Sequence, residues 1–289
     1  GNKLCIMYTI SILLTDNMIY SLRKASEFCF HSQASAFLPV RLFYRKQESF
    51  MNQNIQKEYH ISPDGSGDFS SLFEALSALQ DTKFPEETNL AENLPADPDF
   101  RTSGGDAEPV VLFLHSGIYR ERIVIVRPGI TIIGDDPQTT VITGGLYARM
   151  PMEDIGKRGT FRTFSCLIAS HDITFKNVTF ENSSGKGPDV GQALALYADG
   201  DRLVFDNCRF LGNQDTLFTA PLPPKEIEPN GFVGPGQKLP RAFGRHYYKN
   251  CYLEGDIDFI FGGAAAYFEN CELFSKNINR PVNSYVTAA

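Results

Sequence analysis

The chain has 289 residues, 42% of them hydrophobic, enough for one domain with a sizeable core. A formal net charge of −7 argues against nucleic acid or an anionic membrane surface as a partner and disfavours tight binding of a fully ionised polyanion. The six Cys lack any Cys-x-x-Cys spacing and the His residues do not cluster, so neither a metal nor another cofactor is expected.

Residues 1–50 do not resemble the rest. The chain opens with Gly1, and Leu4 to Leu14 is an apolar run of signal-peptide length behind a single Lys3. It ends at Thr15-Asp16-Asn17 without a small-residue cleavage pattern and is too short to span a bilayer. This leaves the compartment open between secreted and cytoplasmic. The expectation is a leader or upstream segment over 1–50 and one folded domain over 51–289, with the last coils of that domain missing at its C-terminal end.

Tyr59-His60-Ile61 reads as a first strand, followed by the turn Pro63 to Asp68 and a helix. Ser71 and Glu74 have capping-box spacing, and Phe69, Leu72, Phe73, Leu76 and Leu79 share one helical face. Such a helix suits the open end of a solenoid, which must be covered. The acidic stretch Thr82 to Glu108 reads as an exposed loop. Regular β structure is expected from Val110 to Leu114, Ile123 to Val126, Thr131 to Gly134 and Thr140 to Ile142. Arg120, Glu121 and Arg122 are taken as a solvated turn, and His115 and His171 as structural. Asn182-Ser183-Ser184 matches a glycosylation acceptor pattern, but no clear secretory signal accompanies it.

From here the chain repeats itself. The pattern aromatic-x-Asn-x-x-apolar occurs as Phe175 to Phe180, Phe205 to Phe210, Tyr248 to Leu253 and Phe268 to Leu273. The spacings are 30, 43 and 20 residues, and the longest gap holds Pro221-Leu222-Pro223-Pro224 and Asn230 to Gly236, an inserted loop. Without that insertion each unit has the length of a solenoid coil. Short β-rich runs broken by Asn, Gly and Asp favour a parallel β-helix. Cys208, Cys251 and Cys271 share one landmark position and read as small apolar residues in an interior ladder, although adjacent coils would be near enough for a disulfide.

Asp215, in Gln214-Asp215-Thr216-Leu217, and Asp258, in Asp258-Phe259-Ile260-Phe261-Gly262, each stand eight residues after the landmark Asn. Stacked coils would bring them together, about 4.8 Å apart along the stack. Two carboxylates that close resist joint ionisation, which yields one acid and one ionised group at the same pH. Gln214 and Gln192, the latter in Gly191-Gln192-Ala193-Leu194-Ala195-Leu196, could supply two side-chain amides beside the pair, as an oxyanion hole requires. The competing reading is that such Asp residues only cap turns of the solenoid.

These residues resemble the pectin methylesterases, carbohydrate esterases with a right-handed parallel β-helix. The resemblance runs from about Tyr59 to Ala289. Gly117-x-Tyr119-x-Glu121 resembles the first motif of the family, Gln192 to Leu196 its Gln-Ala-Val-Ala-Leu segment, and Gln214 to Leu217 and Gly255 to Gly262 its two catalytic segments. The inserted loop looks like the bacterial branch. The resemblance implies an all-β fold with an N-terminal capping helix, Asp258 as nucleophile on a galacturonate methyl ester, and Gln192 and Gln214 as oxyanion donors. It implies Asp215 as the acid for departing methanol and then the base for water, with Thr160, Phe218 and Phe261 contacting substrate. The partner implied is pectin or a methylated oligogalacturonide, with no metal, no nucleic acid, no membrane span and a monomeric full-length enzyme.

There is one departure. The family carries a later Leu-Gly-Arg-Pro-Trp motif, and Arg280-Pro281-Val282 stands too soon after Asp258 to be its equivalent. The expectation is a larger part of an esterase, with little activity by itself and a last coil prone to fraying. A pectate lyase or polygalacturonase could share the solenoid, but neither a calcium site of clustered acids nor a closer group of Asp residues is visible. A carbohydrate-binding solenoid without catalysis is the remaining alternative.

Overall fold

The computed structural model describes residues 57–80, 94–95, 99–104, 107–153, 156–226, 228–281 and 284–288. The leader assigned to residues 1–50 and most of the loop assigned to 82–108 lie outside them.

The backbone winds into a three-faced coil of parallel strands. Face A stacks β1 (Lys57–Ile61), β2 (Val110–Leu114), β5 (Ile130–Gly134), β10 (Ile173–Lys176), β13 (Leu203–Asp206), β16 (Arg245–Lys249) and β19 (Ala265–Glu269). Face B stacks β3 (Gly117–Arg120), β6 (Thr140–Gly144), β11 (Thr179–Asn182), β14 (Arg209–Leu211), β17 (Tyr252–Gly255) and β20 (Glu272–Ser275). Face C stacks β4 (Ile123–Ile125), β9 (Cys166–Ile168), β12 (Leu196–Ala198), β15 (Leu217–Thr219), β18 (Ile257–Gly262) and β21 (Tyr285–Ala288). A small antiparallel pair, β7 (Pro151–Met152) with β8 (Gly156–Lys157), stands apart. From β2 onward each coil visits A, B and C once, which is the parallel β-helix expected. Among the described residues no helix is long and apolar enough to cross a membrane.

The landmark is the bend from face A to face B. Asn177, Asn207, Asn250 and Asn270 all have φ between 53° and 57°, the left-handed conformation that Asn tolerates better than most residues. Their side chains continue the stack: Asn207 Nδ2 donates to Asn177 Oδ1 at 2.8 Å, and Asn250 Nδ2 to Asp206 Oδ1 at 3.2 Å. The landmark aromatics form a column inside, Phe175 to Phe205 at 6.0 Å, Phe205 to Tyr248 at 4.9 Å and Tyr248 to Phe268 at 4.5 Å between ring centres, all stacked. Cys208, Cys251 and Cys271 are buried free thiols. Each donates to a carbonyl of the preceding coil, Cys208 to Phe175 and Cys251 to Phe205, so the interior ladder holds without a disulfide.

Helix α1 (Leu72–Gln80) covers the start of this core with Leu72, Ala75 and Leu76 buried and Phe69, Phe73 and Leu79 packed against it. Its N-terminus is closed from two sides. Glu74 N donates to Ser71 Oγ at 3.0 Å, and Phe73 N to Glu121 Oε2 at 2.6 Å. Glu121 is therefore a remote helix cap rather than part of a solvated turn. Arg122 also departs from that expectation, lying over the Phe164 ring at 4.3 Å from its centre. Tyr119 OH donates to the carbonyls of Ile61 and His115, tying the first strand to face B. The first family-like motif thus fastens the cap.

Phe205→Ala should cost roughly 3–5 kcal/mol in denaturant unfolding, because the ring is fully buried in the column; Ile118→Ser, at 58% exposed, should change stability by less than about 0.5 kcal/mol. His246 is buried with Nε2 donating to the Gly200 carbonyl, and burial lowers its pKa from 6.5 to about 4. Its contribution to stability is complete above the unfolded value and lost as pH falls from 6.5 through about 4. Unfolding midpoints should fall over that window by an amount equivalent to about 3 kcal/mol, and His246→Phe should flatten the fall.

Candidate active site

Three successive coils deliver the chemical residues to one end of face C. Ala193 N donates to the Gln214 carbonyl at 3.1 Å, and Asp215 N donates to the Ile257 carbonyl at 3.0 Å. The ladder continues with Leu196 opposite Leu217 and Leu217 opposite Ile260. That register carries Asp215 opposite Asp258, across two coils whose sequence separation is 43 residues. Both Asp residues are left-handed, with φ 62° and 49°: Asp215 sits at the bend just before β15, and Asp258 at an irregularity inside β18 where the pairing with β21 shifts register. A bend frees a side chain from the strict in-out alternation of a strand.

Burial separates the two acids. Asp215 is 8% exposed and Asp258 is half-buried. Burial raises the Asp215 pKa well above the ordinary carboxylate value, and the charges of Asp258 and then Asp256 add to the rise. Asp258 is raised by burial. A proton shared by the pair therefore resides on Asp215, and Asp258 carries the charge. Neither carboxylate accepts a hydrogen bond from another described residue that would hold it ionised.

The turns around the pair are tightly tied. Thr216 Oγ1 donates to the Glu254 carbonyl at 3.0 Å, bridging the two acid-bearing coils. Lys276 Nζ donates to the Gly212 carbonyl at 2.5 Å and pairs with Glu254 Oε1 at 2.8 Å. Asp256, at 3% exposed, accepts from Ile257 N at 2.7 Å through Oδ1. On the Gln192 side, Asn182 Nδ2 donates to the carbonyls of Leu146, Thr163 and Leu194, each at 3.0 Å. Leu194 N in turn donates to Thr163 Oγ1 at 2.9 Å. The amide of Asn182 is consumed by this network, so the acceptor pattern at 182–184 marks a strut of the site. Sequence reasoning missed Thr216, Lys276, Asp256 and Asn182 as supports. Only Asn182 had a signal, as the first residue of the Asn182-Ser183-Ser184 pattern.

Gln192 and Gln214 are half-buried; Gln214 immediately precedes Asp215, and Gln192 stands in the coil before, next to the Ala193 N–H that donates to the Gln214 carbonyl. The aromatic expectations divide. Phe218 and Phe261 stand three residues after Asp215 and Asp258 and are opposite each other in register, on the outer side of face C. Phe218 is 1% exposed, enclosed by Phe161, Tyr197 and Phe261 at 4.9, 4.8 and 4.8 Å between ring centres. It has no surface to offer a ligand and serves as a support, whereas Phe261 is half-buried. Thr160 begins the 3-10 turn Thr160–Arg162 and is half-buried.

The outer side of face C is also roofed more fully than the sequence suggested. Phe100, Leu222, Phe232 and Leu239 pack with Phe161, Tyr197 and Phe218 in a second apolar cluster. Arg101, 2% exposed, forms an ion pair with Asp199, 4% exposed, and donates through Nη2 to the Pro240 carbonyl at 2.6 Å. The stretch around 100 and the insertion over 221–244 are thereby fastened to each other and to the coil. Among the described residues no group of three or more His, Cys, Asp or Glu could hold a metal ion.

The profile of the Pectinesterase family matches residues 101–222 and 239–289. The chain belongs to the pectinesterase family. Pectinesterase 31 of Arabidopsis thaliana is 32% identical over 223 residues, 75% of this chain and 56% of that protein. Probable pectinesterase/pectinesterase inhibitor 23 of the same plant is 30% identical over 230 residues, 79% of this chain and 31% of that protein. Among solved structures, pectin methylesterase from Yersinia enterocolitica superposes with a TM-score of 0.54 at 25% identity, over 76% of this chain and 60% of that one. Pectin methylesterase PemA from Erwinia chrysanthemi gives 0.58 at 24% identity, over 81% and 61%. The pectinesterase fold is thus the right-handed parallel β-helix. The chain spans 31% and 56% of the length of the first two curated relatives.

At neutral pH the unfolded pectinesterase chain ionises Asp215 freely, whereas the folded chain holds it protonated, so Asp215 costs the folded state stability. A raised folded pKa contributes stability below the unfolded value that is lost as pH rises through the folded one. Asp215→Asn should therefore raise the unfolding temperature at pH 7, and the gain should shrink toward zero near pH 3, as read by calorimetry at the two pH values.

Proposed function

We propose that this chain carries the site of an aspartyl esterase that hydrolyses methyl esters of polygalacturonate, releasing methanol and pectate. The observation that carries the proposal is the unequal burial of two carboxylates held in register. It provides an ionised group, Asp258, and a protonated one, Asp215, side by side.

In the proposed reaction an Asp258 oxygen attacks the ester carbonyl. The negative charge that develops on the carbonyl oxygen is met by N–H groups of Gln192 and Gln214. As the tetrahedral adduct collapses, the bond to the methoxy group breaks and Asp215 gives its proton to the leaving oxygen, so methanol departs neutral. The resulting acyl link on Asp258 is an anhydride. Asp215, now ionised, takes a proton from water, whose oxygen attacks the galacturonyl carbon; the bond from that carbon to the Asp258 oxygen breaks, Asp258 leaves as carboxylate and Asp215 keeps the proton. Phe261 offers an apolar face to a sugar ring, backed by Phe218, and Thr160 begins the turn whose Phe161 packs against Phe261. A methyl-esterified polymer also suits the acidic chain, because esterification removes the charge that would repel it.

The test is methanol release from highly methylated pectin. Asp258→Asn and Asp215→Asn should each abolish detectable turnover, and Gln214→Ala should lower kcat by about 10²–10³-fold with little change in KM. Retained turnover in Asp258→Asn would overturn the assignment of the nucleophile. Pectin binding without any dependence on these acids would favour a non-catalytic solenoid.

A further inference from the structure

The segment leading to Gln192 holds three glycines, and two have a conformational reason to be glycine. Gly185 has φ 128° and Gly191 has φ 78°, both in the region that side chains disfavour. Gly187 is different. It opens the four-residue helical turn α2 (Gly187–Val190), where the backbone conformation suits any residue, and alanine would be favoured there by up to about 1 kcal/mol.

What excludes a side chain at Gly187 is Gln214. A Cβ placed on Gly187 would lie 2.7 Å from Gln214 Oε1, 3.2 Å from Gln214 Cβ and 3.7 Å from Gln214 Cδ. No atom outside Gln214 ranks among its three nearest neighbours. Gly187 is buried, so the Gln214 amide covers it from solvent. With the Oε1 branch laid against this bare backbone, the NH2 branch of the same planar amide is directed away from the turn. Residues following the turn lead through Gly191 to Gln192, so one short element lies against one proposed donor and leads into the other.

We infer that Gly187 is a positioning residue: its missing side chain seats the Gln214 amide with the NH2 group presented to the reacting carbonyl. The inference rests on the proposed role of Gln214 as an oxyanion donor. It implies a separation of effects, because the atom that an alanine methyl would meet first is the far end of a flexible side chain. The amide can yield at little cost to folding, but a donor displaced by about an ångström no longer meets the oxyanion.

The experiment is a double-mutant cycle on methanol release, with Gly187→Ala, Gln214→Ala and the double variant compared with the parent. Gly187→Ala should lower kcat by about 10–100-fold, leave KM within about twofold, and barely shift the unfolding temperature. In the Gln214→Ala background it should cause no further loss. An equal loss in both backgrounds would overturn the inference and make Gly187 merely structural, while leaving the donor role of Gln214 intact. An unchanged kcat in Gln214→Ala would overturn that donor role and the inference with it. A crystal structure of Gly187→Ala gives a readout independent of turnover: a moved Gln214 amide supports the inference, and an unmoved one contradicts it.

Discussion

The backbone hydrogen bond from Asp215 to the Ile257 carbonyl, and the pairing of Leu217 with Ile260 behind it, set the distance between two acids that the chain keeps 43 residues apart. A slip of one residue in a parallel ladder would send every following side chain to the opposite face. Slippage is resisted because the inner side of each coil is filled by a specific column: Phe205 between Phe175 and Tyr248, Phe210 on Phe180, and thiols donating to the coil before. The register that packs the interior is the same register that pairs the acids. The proposed catalytic geometry is therefore a consequence of core packing, with local turns adding the last adjustment.

Those turns work against stability. Both acids occupy left-handed bends, and neither carboxylate accepts a hydrogen bond from a described residue. Asp215 is pressed further by two neighbouring carboxylates, Asp258 and Asp256. Strain and unpaired charge of this kind persist only where surrounding structure over-determines the backbone. Here the determinants are Thr216 bridging to Glu254, Lys276 spanning Gly212 and Glu254, and Asn182 gathering three carbonyls. Stability is spent at one end of face C to hold an acid and a carboxylate side by side.

Much of this was legible in the residues because a solenoid writes its geometry as repetition. The landmark Asn positions became the bends, the landmark aromatics the inner column, and the equal offsets of Asp215 and Asp258 their pairing. Other features depend on contacts that no repeat encodes. Glu121 caps a helix that starts 49 residues earlier, and its neighbours in sequence suggested only a charged turn. The family resemblance implied Phe218 as a substrate contact, yet the insertion over 221–244 and the Phe161 turn bury it. Arg101 pairs with buried Asp199 across 98 residues and donates to the Pro240 carbonyl, which joins the stretch expected as an exposed loop to the coil and to the insertion. Gly187 carries no pattern at all; its role appears only when the space above it is found to hold Gln214.

The most direct measurement is the titration of the Asp215 carboxyl carbon by NMR, in the parent protein and in Asp258→Asn. Asp215 should titrate well above the ordinary carboxylate range, and its midpoint should drop when the neighbouring charge is removed, while burial keeps it above that range. A midpoint in the ordinary range, or one indifferent to residue 258, would show that the two coils do not bring these acids together.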